Sequence, residues 1–369
     1  MPRRSCPRLA LALAFAALGG ACSRSGPIKL GLVTGLSGRH YDLGLSSRNG
    51  VELAVKELNA AGGVNGRRIE LLVRDDAQDP ETARRAVTEL VHAGVVAIVG
   101  HATSSMAEAT LPIVNREKVL MVSPTVSSSM FLGKDDWFVM IHPSTAESGK
   151  VLSAHIVRRG LARKVSVVYD LTNRAYSESW HDAFKAAFER AGGTVRSVPY
   201  TSGRAPSMAA IAEEALGGGA DGVAIVANAL DTAGLCQQVR LRSQVPLFGS
   251  EWGFTNDVLA NGGRAVEGAS FVMKVNLTDT SPRFLAFKQA YLDRYGRLVD
   301  FAAVMSYEAV LILAEAFKRD ATREGVRDAL LAVGTFEGLQ GPVRIDAFGD
   351  TERKHYVMTV RDGKVVHAD

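Results

Sequence analysis

The sequence predicts an α/β protein in which parallel sheets are doubly wound, with helices on both faces. From Ile28 onward, short apolar runs alternate with amphipathic stretches of helical length. The runs VVAIVG (95–100) and KVSVVYD (164–170) are apolar on both faces, which is typical of buried parallel strands. The 369 residues exceed one domain of ordinary size, so we expect the pattern to build two such lobes.

The strands and helices of this pattern follow one another along the chain. The predicted strands are 28–34, 68–74, 95–99, 119–122, 164–169, 194–199, 222–227 and 246–249. The predicted helices between them are 46–60, 81–93, 104–116, 145–159, 176–191, 206–216 and 231–242. Pro80 favours the start of a helix, and the glycine pairs at 62–63 and 192–193 favour the ends of two others.

Two segments predict passages between the lobes. The first is 136–149, with Pro143 between an apolar run and a helix, and the second is 268–280. Helices are predicted after the second passage, at 282–295 and 301–319. The C-terminal stretch alternates apolar and polar residues around Asp362 and Gly363, which predicts a terminal hairpin.

The N-terminus has the order of an export signal. Three arginines precede an apolar run from Leu9 to Leu18, and small residues and then Cys22 follow. Cys22 resembles the lipidated cysteine of bacterial lipoproteins, although the leucine that usually lies three residues before it is here Leu18, four residues before. The alternative is plain cleavage after Ala21. In either case residues 1–21 are expected to be removed.

The charge and the cysteines exclude several classes of protein. Residues 1–21 hold three arginines and no acid, so the formal net charge of +4 falls to 40 − 39 = +1 without them. Charges of both signs are interspersed, so no nucleic-acid partner is expected.

Cys236 would be the one cysteine inside the fold, which leaves no disulfide framework or cysteine metal site. Beyond the signal no apolar run is long enough to span a bilayer, so contact with a membrane is expected only through a lipid on Cys22.

The loops that follow the strands hold the candidate binding residues, because ligands of open parallel sheets lie outside the carboxyl ends of the strands. In the first lobe these loops are TGLSGRHYDLG, GHATSS and SPTVSSS. Their hydroxyls, together with the free N–H groups of helix N-termini, favour a carboxylate or similar small anion. The alternative is that Ser46 and one of Ser104 and Ser105 only cap helices.

The second lobe offers a different set of residues. Tyr176 enters a helix, the third strand ends in ANALD, and the fourth ends with Glu251 beside Trp252. A carboxylate beside an aromatic ring could neutralise a ligand cation and pack its apolar part. The alternative is that Glu251 is a helix-start acid or a surface ion-pair partner.

No motif predicts catalysis or a cofactor. The glycines of the opening loop fit neither a dinucleotide fingerprint nor a phosphate-binding loop, and no zincin or nucleophile-elbow motif occurs. The acids of RDDAQDP (74–80) are too few for an oxygen-ligand metal site and are interpreted as strand-end and helix-cap acids.

In order along the chain, IKLGLVTGLSG, the block from Gly50 to Pro80, AIVGHATSS, VLMVSPTVSS and MSYEAVLILAEAF resemble the leucine/isoleucine/valine-binding family of periplasmic proteins of bacterial ABC transporters. The resemblance implies the type I periplasmic binding fold, with two Rossmann-like lobes joined by three crossover strands. Lobe 1 would be 28–141 plus about 273–341. Lobe 2 would be 142–272 plus about 342–369.

The resemblance also implies a site and a function. The ligand carboxylate would bind Ser104, Thr125 and Ser127, and its ammonium group would bind Glu251. The residues implied to line the rest of the site are Tyr176, Asn228, Ala229, Tyr41 and Leu43. Leu43 stands where relatives commonly have an aromatic residue, so leucine, isoleucine and valine are only candidate ligands.

The implied protein is a monomeric, extracytoplasmic solute-binding subunit that delivers a small amino acid or related carboxylate to an ABC transporter permease. It would use no cofactor, metal or catalysis. The alternative is a ligand-sensing subunit of a membrane receptor with the same fold.

Overall fold

The structure is a computed structural model that describes residues 26–38, 41–204 and 206–368. The predicted signal at 1–21, Cys22 and His40 lie outside the described residues. The strands are β1 (Ile28–Thr34), β2 (Ile69–Asp75), β3 (Ala97–Gly100), β4 (Leu120–Ser123), β5 (Phe138–Met140), β6 (Lys164–Asp170), β7 (Thr194–Tyr200), β8 (Gly222–Val226), β9 (Leu247–Gly249), β10 (Ser270–Met273), β11 (Thr335–Gly338), β12 (Gly341–Ile345), β13 (Thr351–Glu352), β14 (Tyr356–Arg361) and β15 (Lys364–His367). The helices are α1 (Tyr41–Ala60), α2 (Pro80–His92), α3 (Ser104–Glu117), α4 (Thr145–Arg158), α5 (Arg174–Arg190), α6 (Met208–Leu216), α7 (Ala229–Arg240), α8 (Asn256–Gly262), α9 (Pro282–Tyr295), α10 (Phe301–Arg319) and α11 (Val326–Val333).

Two sheets flanked by helices confirm the predicted α/β class. The first sheet is parallel, in the order β2-β1-β3-β4-β5. The second has the order β15-β14-β10-β9-β8-β6-β7, in which β14 alone runs antiparallel to its neighbours β10 and β15. In β1, Leu32 and Val33 belong to apolar clusters on opposite faces of the sheet, because successive strand residues point to opposite sides. Both faces of the strand are therefore covered, as the apolar runs predict.

Helix α1 begins earlier than predicted, at Tyr41 and not near residue 46. The expected loop around Leu43 is therefore the first turn of a helix, with Asp42 at the end where the helix dipole favours an acid. Ser46 lies inside α1 and donates a hydrogen bond to Asp300, so the interpretation of Ser46 as a helix cap is wrong. Ser104 and Ser105 are the first two residues of α3, whose N-cap is Thr103.

Other predicted boundaries are confirmed. Pro80 is the first residue of α2, and the Asp79 carboxylate caps this helix by accepting from the Thr82 N–H. The terminal hairpin pairs β14 with β15 around Asp362 and Gly363, both at positive φ.

Short elements were missed by the sequence pattern. Strands β5 and β10 lie inside the predicted passages, and they are too short, at 3 and 4 residues, to show a period. Helices α8 and α11 and the small antiparallel sheet β11-β12-β13 were not predicted either.

We propose that the chain crosses between its two halves at 141–144, 274–281 and 353–355. The first segment follows β5 and the second follows β10. Each of these is the last strand that the chain adds to its sheet before it passes to the other half. The third segment follows β13. The chain is still part of the first half up to this strand, because the β13 side of the small sheet is held against β5. The Thr351 hydroxyl donates to the Met140 carbonyl, and the Met140 N–H donates to the Gly349 carbonyl. We define these three segments as the crossings.

In the described part of the chain, no helix combines the length and the apolar composition needed to cross a bilayer.

Gly50 allows α1 to pack closely against α10. A Cβ atom at this position would lie 2.3 Å from the carbonyl oxygen of Ala303, a backbone atom that cannot rotate away. We predict that Gly50→Ala lowers the free energy of unfolding by roughly 2 kcal/mol, because overpacking outweighs the better helix propensity of alanine.

Gly234→Ala, in the interior of α7, is the matched control, since its Cβ would only reach ordinary contact with Met208 at 3.7 Å. It should leave stability unchanged or raise it by up to about 1 kcal/mol. Denaturant unfolding of both variants measures this, and equal stability of the two would contradict the close packing of α1 on α10.

Candidate functional site

A narrow cavity lies between the two halves of the protein, and its free volume of about 10 Å³ is about the space that one water molecule needs. The first half contributes Leu43, Ala102, Ser104, Thr125, Ser127 and Phe301; the second contributes Asn173, Tyr176, Glu251 and Trp252; and the first crossing contributes His142. Ser104 and Glu251 thus open onto the same cavity from opposite sides.

The structure brings together six of the nine predicted binding residues. Those that line the cavity are Leu43, Ser104, Thr125, Ser127, Tyr176 and Glu251. Tyr41, Asn228 and Ala229 are not among its described lining. Tyr41 is the first residue of α1 and is 44% exposed. Asn228 caps α7 through the Asp231 N–H, which leaves Ala229 inside the first turn of that helix.

The wall from the first half is rich in hydroxyls. Ser104 begins α3, and the N-terminal end of a helix carries a partial positive charge. The Thr125 hydroxyl donates to the Ala102 carbonyl at 2.7 Å, which fixes its side chain. The Ser127 hydroxyl is buried and has no hydrogen-bond partner among the described residues. This wall can therefore bind an anion, and the Ser127 hydroxyl is available to donate a hydrogen bond to it.

The two halves touch at the rim of the cavity. The Ser105 N–H donates to the Asn173 side chain at 3.1 Å, and the Ala175 N–H donates to the Ser105 hydroxyl at 3.2 Å. On another side, the Thr255 hydroxyl donates to the Asp42 carboxylate at 2.8 Å. The halves are therefore closed over the cavity.

Glu251 is fully buried at the opposite wall and is bound by two basic side chains. His142 Nε2 lies 2.7 Å from Glu251 Oε2, and Lys274 Nζ lies 3.2 Å from the same oxygen. The backbone N–H of Lys274 donates to Glu251 Oε1 at 2.8 Å. Burial alone would raise the pKa of the Glu251 carboxyl, but Lys274 and His142 hold it at about 2. Glu251 is therefore an ionised carboxylate, and the interpretation as a surface ion-pair partner is wrong.

Each crossing contributes one basic residue near Glu251. His142 comes from the first crossing, Lys274 from the second and His355 from the third. Burial and the charge of Lys274 lower the pKa of His355 to about 4, so it is neutral near pH 7. Burial also lowers the pKa of His142, and Lys274 lowers it further, while Glu251 opposes both.

Sequence reasoning missed His142 and Lys274 as site residues, because 109 and 23 positions separate them from Glu251. The available signal was a short apolar run directly before each of them, FVMI (138–141) and FVM (271–273), which the structure shows to form β5 and β10. His142 and Lys274 are therefore at strand ends like the residues that were predicted.

The rest of the cavity is apolar and aromatic. The rings of Tyr176 and Trp252 meet edge to face, with centroids 5.7 Å apart, and Phe301 packs against His142 at 6.2 Å. Leu43 and Ala102 complete this surface. Such a wall suits the uncharged body of a small ligand.

Other candidate groups are structural. His101 is buried against Asp76 at 2.7 Å and is not part of the described lining. Asp75 accepts from the Leu36 and Ala77 N–H groups. Among the described residues, no group of three histidine, cysteine, aspartate or glutamate side chains is arranged to hold a metal ion.

Asp300 predicts a pH dependence of stability. Its carboxyl is buried beside Asp42 and accepts from Ser46 and the Ala303 N–H. Burial raises its pKa from 3.8 to about 6, so the folded protein holds this proton more tightly than the unfolded chain. The contribution of this group to the stability of the folded protein is thus complete below pH 4 and is lost as the pH rises through 6. The wild type should lose on the order of 3 kcal/mol of unfolding free energy between these limits because of Asp300, and Asp300→Asn should not show this loss.

Urea unfolding of the wild type and of Asp300→Asn at about pH 4 and pH 7 measures the effect, since other titrating groups cancel in the difference. The variant should gain stability relative to the wild type at the higher pH. A difference that does not change with pH would contradict the raised pKa.

The sequence profile of the family described as periplasmic binding protein matches residues 27–364. A leucine-, isoleucine-, valine-, threonine- and alanine-binding protein of Pseudomonas aeruginosa is 25% identical over 96% of this chain and 94% of its own length. A Leu/Ile/Val-binding protein homolog of Brucella melitensis is 30% identical over 51% of each chain, so in that comparison the chain spans about half the length of its relative.

A solved structure extends the likeness to the fold. The branched-chain amino acid transporter substrate-binding protein of Streptococcus pneumoniae, in complex with isoleucine, has a TM-score of 0.84 at 24% identity. The matched region covers 92% of this chain and 97% of the chain in that structure. The chain therefore has the fold of these proteins.

Proposed function

The chain belongs to the periplasmic binding protein family, and we propose that it is the extracytoplasmic solute-binding subunit of an ABC importer. It would capture a small amino acid or related carboxylate between its two halves and deliver it to the permease subunits. The observation that carries this proposal is the shared cavity, with hydroxyls on one wall and Glu251 among aromatic rings on the other. Relatives named for amino-acid binding and transport favour delivery over the sensing alternative.

The hydroxyl wall is the proposed carboxylate site. A carboxylate there would accept from the Ser104 and Ser127 hydroxyls and from N–H groups at the start of α3. Charge-assisted hydrogen bonds of this kind are stronger than neutral ones, and exclusion of water strengthens them further. Thr125 would support the site through its bond to Ala102.

Closure explains how such a site binds and releases its ligand. The two halves would separate about the crossings to admit a ligand and close to bring both walls onto it. An affinity near 1 μM needs about 8 kcal/mol net, which a few charge-assisted bonds and the burial of an apolar body can supply.

We propose a cell-envelope location and a monomeric protein. Export would follow from the signal at 1–21, with a lipid on Cys22 as the membrane anchor or with cleavage after Ala21. Solute-binding proteins of this family bind and release without turnover, so the proposal includes no enzymatic step, cofactor or metal.

A thermal-shift screen over amino acids and small carboxylic acids tests the proposed function, since a ligand that binds the folded state raises the melting temperature by mass action. We expect at least one of these compounds to raise it. No shift with any of them would contradict the proposal.

Ser127 provides a sharper test of the carboxylate site. Because its hydroxyl has no partner among the described residues, Ser127→Ala should leave the stability of the free protein nearly unchanged. It should weaken ligand binding about tenfold, or about 1.4 kcal/mol, through the loss of a hydrogen bond to the ligand charge. Isothermal titration calorimetry with the ligand found in the screen measures this loss.

Ser166→Ala is the matched control. This hydroxyl is also buried without a partner in the described structure, but it lies in β6 and away from the cavity lining. The control should keep wild-type affinity. Equal affinity of both variants would place the ligand carboxylate elsewhere.

A further inference from the structure

The charge beside Glu251 limits what the cavity can bind. An amino acid needs a counter-charge for its ammonium group, and Glu251 is the acidic residue of the described lining. Lys274, with its own side chain almost fully buried, already pairs with this carboxylate at 3.2 Å. The charge of Glu251 is therefore neutralised within the protein before any ligand arrives.

The hydrogen-bonding capacity of Glu251 is also nearly used. A carboxylate offers about four acceptor positions. With a proton on Nε2, His142 occupies one position on Oε2, the Lys274 ammonium group occupies a second, and the Lys274 N–H occupies one on Oε1. About one position remains, whereas an ammonium group has three donors to satisfy.

The net charge of the group is not negative in either protonation state of His142. Its Nδ1 lies 2.9 Å from the Pro143 carbonyl, and its Nε2 faces Glu251. If His142 is neutral, the charges of Glu251, Lys274 and His142 sum to zero. If it is protonated, they sum to +1. In neither state does the group attract a second cation.

A single hydroxyl fits this wall better. It brings one donor for the one acceptor position that remains on Glu251, and it adds no charge beside Lys274. A second anionic group on the ligand is disfavoured, because Glu251 and not Lys274 forms the described lining. The aromatic and aliphatic residues around Tyr176 and Trp252 then cover an uncharged body.

We propose that the ligand is a small monocarboxylate without an ammonium group, and that a 2-hydroxy acid with an apolar body fits best. This inference rests on the proposed function, because it assumes that the carboxylate binds the hydroxyl wall. It revises the assignment of Glu251 as the ammonium site. Glu251 instead accepts a ligand hydroxyl and holds Lys274.

The test compares matched compounds that differ at one group. Calorimetry measures the binding of leucine and 2-hydroxy-4-methylpentanoate, and of phenylalanine and 2-hydroxy-3-phenylpropanoate. For the pair that binds, we expect the hydroxy acid to bind at least tenfold more tightly than the amino acid. An amino acid that binds as tightly as its hydroxy analogue, or more tightly, overturns the inference and leaves the proposed function intact. If no compound of either series binds, the inference also fails, and failure of the wider thermal-shift screen then rejects the proposed function.

Lys274→Met tests the cause of the preference. Removal of the internal cation leaves Glu251 available to a ligand ammonium group, so amino-acid affinity should rise at least tenfold relative to the hydroxy acid. Lys150→Met, which breaks the exposed pair with Glu147, is the control and should keep the wild-type ratio. An unchanged ratio in Lys274→Met would overturn the role of Lys274.

Lys274→Met leaves a buried carboxylate without its main partner and could fail to fold. The double variant Glu251→Gln/Lys274→Met removes both charges and keeps the shape of the group. It should still favour the hydroxy acid, because no free carboxylate is available for ammonium. A double variant that favours the amino acid would overturn the inference.

Discussion

The buried contact of Glu251 with Lys274 and His142 is the constraint on which the rest of the site depends. It joins the second half of the protein to two of the three crossings, at distances of 2.7 to 3.2 Å. Removal of one partner would leave a buried charge unpaired and lower the free energy of unfolding by several kcal/mol. The same contact sets the charge of one cavity wall. The segments about which the halves would move are therefore tied directly to the ligand wall.

The opposite wall is built by a different principle. It contains no ionised side chain among its described lining residues, and an anion would be held there by hydroxyls and by the N-terminal end of α3. One wall thus attracts a negative group through dipoles, while the other has its charges already paired. Under our proposal, a ligand with one anionic end and one uncharged end would match both walls, and closure of the halves would bring the walls onto it together.

Much of this arrangement follows from the sequence. Strand β1 has the predicted bounds, because its seven apolar-rich residues form a long and clear run. Ser104 and Glu251 follow β3 and β9, as the sequence predicts, and both line the cavity, while their role in binding stays a prediction. The partners of Glu251 were not found, because Lys274 and His142 meet it only through the three-dimensional crossing of the chain. Tyr41 was misplaced for a local reason, since a helix turn formed where a loop was expected. Short elements such as β5 depend on neighbouring strands and carry too few residues to show a pattern.

A crystal structure of the protein with its bound ligand tests the central claim most directly. The account predicts a ligand carboxylate within hydrogen-bond distance of Ser104 and Ser127, an uncharged ligand group at Glu251, and a Lys274–Glu251 contact that stays near 3.2 Å. A ligand ammonium group bound to Glu251, with Lys274 displaced from the carboxylate, would contradict it.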